Sequence, residues 1–243
     1  MVNDLKFKKV KDKSDKLTKI DKGMLPNLPF RMCIVGRSGS GKTSALVSLL
    51  CDSRYYKNDF KGENIYIFSP MVNDKKMEML IDKKSVPCIN LFTGFDDEIL
   101  NTLYDDLVQS FQEEEQLGAK KIAPKLIIMD DISFDGSLKK GNHNAVSRCF
   151  MNGRKHGINI IVLTQYYRDI LKSCRINASA LITFTMNESE LDALADEHAM
   201  MKKSEFKDMI RNNCVELHDF ICINYSNNRK KGIYLNSNFE KIG

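Results

Sequence analysis

One short stretch constrains this chain more than any other. Residues 36–43 read Gly-Arg-Ser-Gly-Ser-Gly-Lys-Thr and match G-x-x-x-x-G-K-[ST], the pattern of a phosphate-binding loop. A glycine-rich turn can match by chance, so the flanks decide. The preceding run 30–35 (FRMCIV) suits a strand, and 44–50 (SALVSLL) sets leucines on one helical face. Glycines at 36, 39 and 41 let backbone N–H groups curl around phosphate oxygens, and the helix adds its unpaired N–H groups and positive dipole end. The expected nucleotide contacts are Gly36, Ser38, Gly39, Ser40, Gly41, Lys42 and Thr43.

The rest of the chain repeats the same strand–helix step. Runs 64–68 and 88–92 read as strands, and each is followed by a helical pattern, over 74–84 and over 96–118. In the second of these helices Ile99, Leu103, Leu107 and Phe111 share a face. The three glutamates 113–115 put negative charge at that helix's unfavourable end, which predicts fraying. Residues 126–131 are apolar up to two acids, as in a central parallel strand covered on both faces. A loop over 132–142, a helix over 144–155, a strand over 158–163, a helix over 166–173 and a strand over 180–184 follow. Two helices within 188–212 then precede a hairpin from 220–225 and 233–235. The fold class is therefore α/β, with a mainly parallel central sheet flanked by helices and an antiparallel C-terminal hairpin at the sheet edge. Residues 1–27 read as a basic N-terminal arm, flexible or a peripheral strand, and 28–243 as the nucleotide domain.

Composition narrows the class. With 243 residues, 42% hydrophobic and 28% charged, the chain can bury one sizeable core. No apolar run reaches the length of a membrane span and no secretory leader is evident, so a soluble intracellular protein is expected. Seven cysteines lack a C-x-x-C pair and four histidines lack ligand spacing, so neither a disulfide framework nor a zinc site is expected. The net charge of +5 gathers in the lysine-rich arm and at 229–231. Such runs are ordinarily solvated surface and do not by themselves specify nucleic acid.

In a loop of this form Lys42 reaches the β- and γ-phosphates of ATP and the Thr43 hydroxyl ligates Mg²⁺. Hydrolysis also needs acids. Asp130 and Asp131 end the most apolar strand, where open α/β sheets present their ligands: Asp130 suits the magnesium shell and Asp131 the attacking water. Gln165, at the end of the following strand, either touches the γ-phosphate and its water or caps the strand. A charged transition state calls for an arginine, with Arg37, Arg148, Arg154, Arg168 and Arg175 as candidates.

The order of these motifs carries a resemblance. The phosphate loop with its strand, then 65–70 (IYIFSP), 126–131, and above all 153–158 (GRKHGI), 163–165 (LTQ) and 170–175 (ILKSCR), resemble the genome-packaging ATPases of the FtsK/HerA superfamily, over about residues 28–235. Poxviruses, other large DNA viruses of eukaryotes and virophages have such proteins. The resemblance implies an additional-strand P-loop ATPase domain over 28–243, Mg²⁺-dependent ATP hydrolysis, and a pentameric or hexameric ring. It further implies double-stranded DNA pumped into a preformed capsid, contact with capsid or portal-vertex proteins, and a place in the host cytoplasm (the viral factory) or the virion. By position, Lys42 and Thr43 belong to its first motif, Asp130 and Asp131 to its second and Gln165 to its sensor. Many members carry Glu where Asp131 stands, one methylene longer. The arginine acting in trans maps to Arg175, then Arg154. For a chain that moves DNA, the loop 133–142 with Lys139 and Lys140 is a candidate pore element.

Two other classes fit the loop itself. A nucleoside or nucleotide kinase would add an arginine-rich lid and an acceptor pocket, and a nucleotide-gated DNA-anchoring structural protein would bind without turnover. A GTPase is disfavoured by the lack of an N-K-x-D motif.

Overall fold

The computed structural model describes residues 17–131, 145–227 and 232–242. Among these, eight strands form one sheet in the order β3-β2-β4-β5-β1-β6-β7-β8: β1 Arg31–Val35, β2 Ile65–Phe68, β3 Leu91–Phe92, β4 Lys125–Asp130, β5 Ile158–Thr164, β6 Ala180–Phe184, β7 Phe220–Asn224 and β8 Tyr234–Leu235. The first six run parallel, and β7 and β8 add antiparallel at one edge, as expected of the C-terminal hairpin. β5 lies between β1 and β4, so an additional strand separates the phosphate-loop strand from the strand ending in the two acids.

Both faces are covered, which is why the central strands are apolar at successive positions. On β1, Cys33 and Val35 enter one core while Met32 and Ile34 enter the other, and on β4 Ile127 and Met129 alternate in the same way with Leu126 and Ile128. One face packs on α1 (Lys42–Cys51) and α2 (Lys75–Lys84). The other packs on α3 (Asp97–Gln116), α4 (Ala145–Asn152), α5 (Lys172–Asn177), α6 (Glu188–His198) and α7 (Lys203–Asn213). Each fully buried aliphatic side chain contributes about 1.5–3 kcal/mol.

Several helices differ from their sequence expectation. The buried face of α3 is Leu100, Tyr104, Leu107 and Phe111, while Ile99 is exposed. Positions spaced four apart drift around a helix of 3.6 residues per turn, and Tyr104, beneath the Arg148 guanidinium at 4.6 Å, holds the actual face. The three glutamates stay helical. Gly118, at φ +77, closes the end with Gly118 N–H donating to Glu115 O and Ala119 N–H to Glu114 O. In place of one helix over 166–173 stand a 3₁₀ turn, Tyr167–Asp169, and then α5. Tyr166 and Ile170 are extended at either end of that turn, which sends the Tyr167 ring and the Ile170 side chain into the core. α4 likewise ends at Asn152 and passes into a 3₁₀ turn, Gly153–His156.

Residues 17–27 fold back on the domain. Ile20 bridges Leu28, the Lys22 ammonium pairs with Asp59 at 2.7 Å, and the Tyr56 hydroxyl donates to Pro26 O. Residues 1–16, the loop 133–142 and the basic cluster 229–231 lie outside the described residues. All seven cysteines are free thiols, and among the described residues no helix is long and apolar enough to cross a membrane.

Candidate nucleotide site

The sheet register assembles the site. Val35 pairs with Thr164 and Asp130 with Leu163, so the chain leaves β1, β4 and β5 at one level. There Gly36 N–H donates to Thr164 O and Asp131 N–H to Leu163 O. A cavity of about 250 Å³ opens at this level. It is lined by Ser38, Gly39, Gly41, Lys42 and Thr43 on one side and by Asp130, Asp131 and Gln165 on the other, with Asp74 and Lys76 of the α2 turn at its rim.

The loop is shaped by backbone conformations that favour glycine. Gly39 and Gly41 have φ of +78 and +108, and Ser40 N–H closes a turn onto Arg37 O. Gly36 is needed for close packing, since a Cβ there would stand 2.5 Å from Ser40 Oγ and 2.9 Å from Phe184 Cβ. No side chain caps the start of α1, and its first residues, Lys42 and Thr43, line the cavity after Gly41. Its free N-terminal N–H groups are therefore available there as anion donors. The Lys42 ammonium folds over the loop, donating to Gly36 O at 2.7 Å and Arg37 O at 3.2 Å. Burial lowers its pKa from the ordinary lysine value, and the carboxylates of Asp131 and Asp130 oppose the fall.

The two acids differ. Asp130 is buried, at 8% exposure, and accepts a hydrogen bond from the fully buried Ser69 hydroxyl at 3.2 Å. Burial raises its pKa above the ordinary carboxylate value, with the Ser69 bond opposing that rise and Asp131 adding to it. Asp131 sits at φ +52, an unusual backbone for a non-glycine residue, and this turns its carboxylate back toward β5. Its Oδ2 accepts from Gln165 Nε2 at 3.3 Å, while its Oδ1 is buried without a hydrogen-bond partner. An orphaned acceptor in this position suits a water or a metal-bound water. Thr43, Asp130 and Asp131 are all oxygen donors, the set a magnesium ion takes when phosphates and waters complete its shell.

A second cleft, of about 330 Å³, adjoins the exposed side of α1. His218, Tyr55, Phe184, Phe220 and Phe239 line it beside Ser44 and Ser48. The His218 ring stands over the loop, with Nδ1 3.0 Å from Ser40 O. Phe239 packs on Tyr55 and Phe220 at ring-centroid distances of 5.6 and 5.8 Å. Sequence reasoning missed this cleft, and missed Ser69 as the support of Asp130.

The arginines are dispersed. Arg37 is exposed on the loop, Arg148 is bound to Asp105, and Arg168 donates to Ser189 Oγ. Arg175 chelates Glu197 with Nε at 2.9 Å and Nη2 at 2.7 Å, both side chains nearly buried, and stacks on Tyr167. Arg154 is exposed in the turn before β5, at the end of the strands opposite the phosphate loop. Within one chain, then, the structure brings residues 36–43, 130, 131 and 165 together and leaves Arg154 and Arg175 apart from them.

Comparison with known proteins agrees with this architecture. The DNA packaging protein OPG160 of vaccinia virus (strain Copenhagen) is 28% identical over 197 residues, which cover 76% of this chain and 63% of that protein, so this chain spans less than two-thirds of its relative's length. An uncharacterized protein, 015R, of Frog virus 3 is 24% identical over 157 residues, covering 65% of this chain and 44% of that protein. Among solved structures, the genome packaging NTPase B204 of Sulfolobus turreted icosahedral virus 2 in complex with AMP superposes with a TM-score of 0.56 at 15% identity, covering 81% of this chain and 93% of that one. The same protein with AMPPCP gives 0.53 at 16% identity, covering 82% and 93%. The family described as Poxvirus A32 protein matches over residues 17–239, and the chain belongs to it.

Proposed function

We propose that this chain is an ATP-hydrolysing motor that moves double-stranded DNA into a viral capsid, working as a homo-oligomeric ring in the host cytoplasm or on the assembling virion. The observation that carries the reading is the common level at which the phosphate loop, Asp130, Asp131 and Gln165 leave the sheet. The DNA-packaging name of the poxvirus relatives supports the choice of DNA.

In this reading the α1 N-terminus and residues 36–43 bind the triphosphate, with Lys42 released from its loop carbonyls to meet the β- and γ-phosphates. Thr43 and Asp130 would hold Mg²⁺, which would supply charge neutralisation at the phosphates. Asp131 accepts a proton from the attacking water through its free Oδ1, and Gln165 positions that water and senses the γ-phosphate. The base lodges in the aromatic cleft beside His218. The arginine that meets the transition state comes from a neighbouring copy; Arg154 is exposed for that role, whereas Arg175 would first have to leave Glu197.

A kinase lid would need several free arginines near the cavity, and Arg148, Arg168 and Arg175 are engaged elsewhere. The test compares the wild type with Lys42→Ala and Asp131→Asn. Both variants should lose packaging while retaining capsid binding, and Asp131→Asn should still bind ATP. Unaffected packaging in either variant would point to a scaffold and overturn the motor.

A further inference from the structure

A cleft of about 650 Å³ opens at the end of the central strands opposite the phosphate loop. Three cations converge on it from separate segments: Lys19 of the N-terminal arm, Arg31 at the start of β1, and Arg154 in the turn before β5. Among the described residues none of the three forms an ion pair, and the half-buried Arg31 has its Nε enclosed without a hydrogen-bond partner. Burial, and then the neighbouring Arg154, lower the Arg31 pKa from the ordinary value, so two guanidinium groups repel one another across the cleft.

The one acid among the described residues of the lining, Glu197, does not answer them. Both its oxygens are occupied, by the Arg175 guanidinium and by the Tyr167 hydroxyl at 2.6 Å. His198, also in the lining, is held neutral near pH 7, because burial pushes its pKa down to about 4. Among the described residues the cleft is thus positive, partly dehydrated and without a free counter-charge. An anion placed there would offset the repulsion and give the orphaned Nε a partner.

We propose that this cleft is a second anion site, separate from the same chain's nucleotide pocket, in which Arg31 and Lys19 hold a phosphate group and Arg154 adds its charge whenever it is not engaged by a neighbouring copy. The planar fork of Arg31 matches phosphate oxygens, and Arg154 and Lys19 add charge from the open side. The cleft is roomier than a bare phosphate needs, and the exposed side chains of Ile176 and Met200 give an apolar wall against which a nucleoside or a sugar can pack. A free nucleoside phosphate and a DNA backbone present the same chemistry.

The test uses the Lys42→Ala protein, so that the phosphate loop no longer dominates binding and failure of the ATPase reading leaves this inference untouched. Pyrophosphate and AMP are titrated by calorimetry, and a short DNA duplex by fluorescence anisotropy. At least one should bind, and adding Arg31→Gln should weaken it by about tenfold, with Arg31→Lys recovering part of the loss. Binding of AMP but not duplex assigns a free nucleotide; binding of duplex assigns the nucleic-acid backbone. If Arg31→Gln fails to fold, the exposed Lys19→Gln carries the test and should weaken the same probe. Absence of binding by all three probes, or affinity unchanged in these variants, overturns the proposal.

Discussion

His198 sets an acid limit on stability that can be measured directly. Its side chain is 4% exposed, with Nε2 2.6 Å from the Tyr167 hydroxyl and Nδ1 2.6 Å from the Tyr225 hydroxyl. Burial pushes its pKa from 6.5 down to about 4; Glu197 opposes the fall and Arg175 adds to it. In the unfolded chain the ring takes up a proton as pH drops through 6.5, and in the folded protein it does not until about 4. The unfolded state therefore binds more protons across this window. Stability rises with pH there and is lost as pH falls through it. A fall of that size corresponds to about 3 kcal/mol, with a slope near the middle of the window of about 1.4 kcal/mol per pH unit.

Urea unfolding of the wild type and His198→Gln between about pH 7.5 and about pH 4.5 reads this slope. The variant will be weaker at neutral pH because the Tyr225 hydroxyl loses its His198 contact and the Tyr167 hydroxyl keeps only Glu197, so the slopes are compared and not the absolute values. The wild-type slope should exceed that of the variant by about 1.4 kcal/mol per pH unit near pH 5, and other titrating groups, His156 among them, cancel in the difference. Equal slopes would refute the reasoning and place the neutral histidine elsewhere.

Three substitutions test other parts of the structure. Gly36→Ala puts a methyl group 2.5 Å from Ser40 Oγ and 2.9 Å from Phe184 Cβ, so it should lower stability by about 1–3 kcal/mol and distort the phosphate loop; calorimetric ATP affinity equal to wild type would contradict that packing. Asp131→Asn removes the proposed proton acceptor and should slow single-turnover ATP hydrolysis by about 10²–10⁴-fold with ATP affinity retained. Arg175→Ala leaves Glu197 nearly buried without its cation and should cost about 3–5 kcal/mol in denaturant unfolding, whereas full stability with hydrolysis abolished would identify Arg175 as the arginine acting in trans.

What could be read from the sequence follows from how local the physics is. The phosphate loop depends on the order of strand, glycines and helix within about twenty residues, so it was legible. The strand ending in Asp130 was legible because burial on both faces forces an uninterrupted apolar run. The support of Asp130 by Ser69 spans 61 positions, and the aromatic cleft gathers residues 55, 184, 218, 220 and 239, so no spacing announces either. The helix expected over 166–173 failed for a tertiary reason. Tyr167 bonds to Glu197 and His198 on α6, and those contacts outweigh the modest helical preference of a short segment. The pairing of Arg175 was hidden for the same cause, since Glu197 lies 22 residues away on another helix.

The central claim is that the site at residues 36–43, 130, 131 and 165 turns over ATP in response to DNA. It is tested most directly by measuring ATP hydrolysis with and without double-stranded DNA at low salt, in a sample whose oligomeric mass is determined in parallel. We expect DNA-stimulated hydrolysis in an assembled ring, abolished by Lys42→Ala and weakening steeply as salt rises. Hydrolysis indifferent to DNA in a sample shown to be assembled would contradict the account.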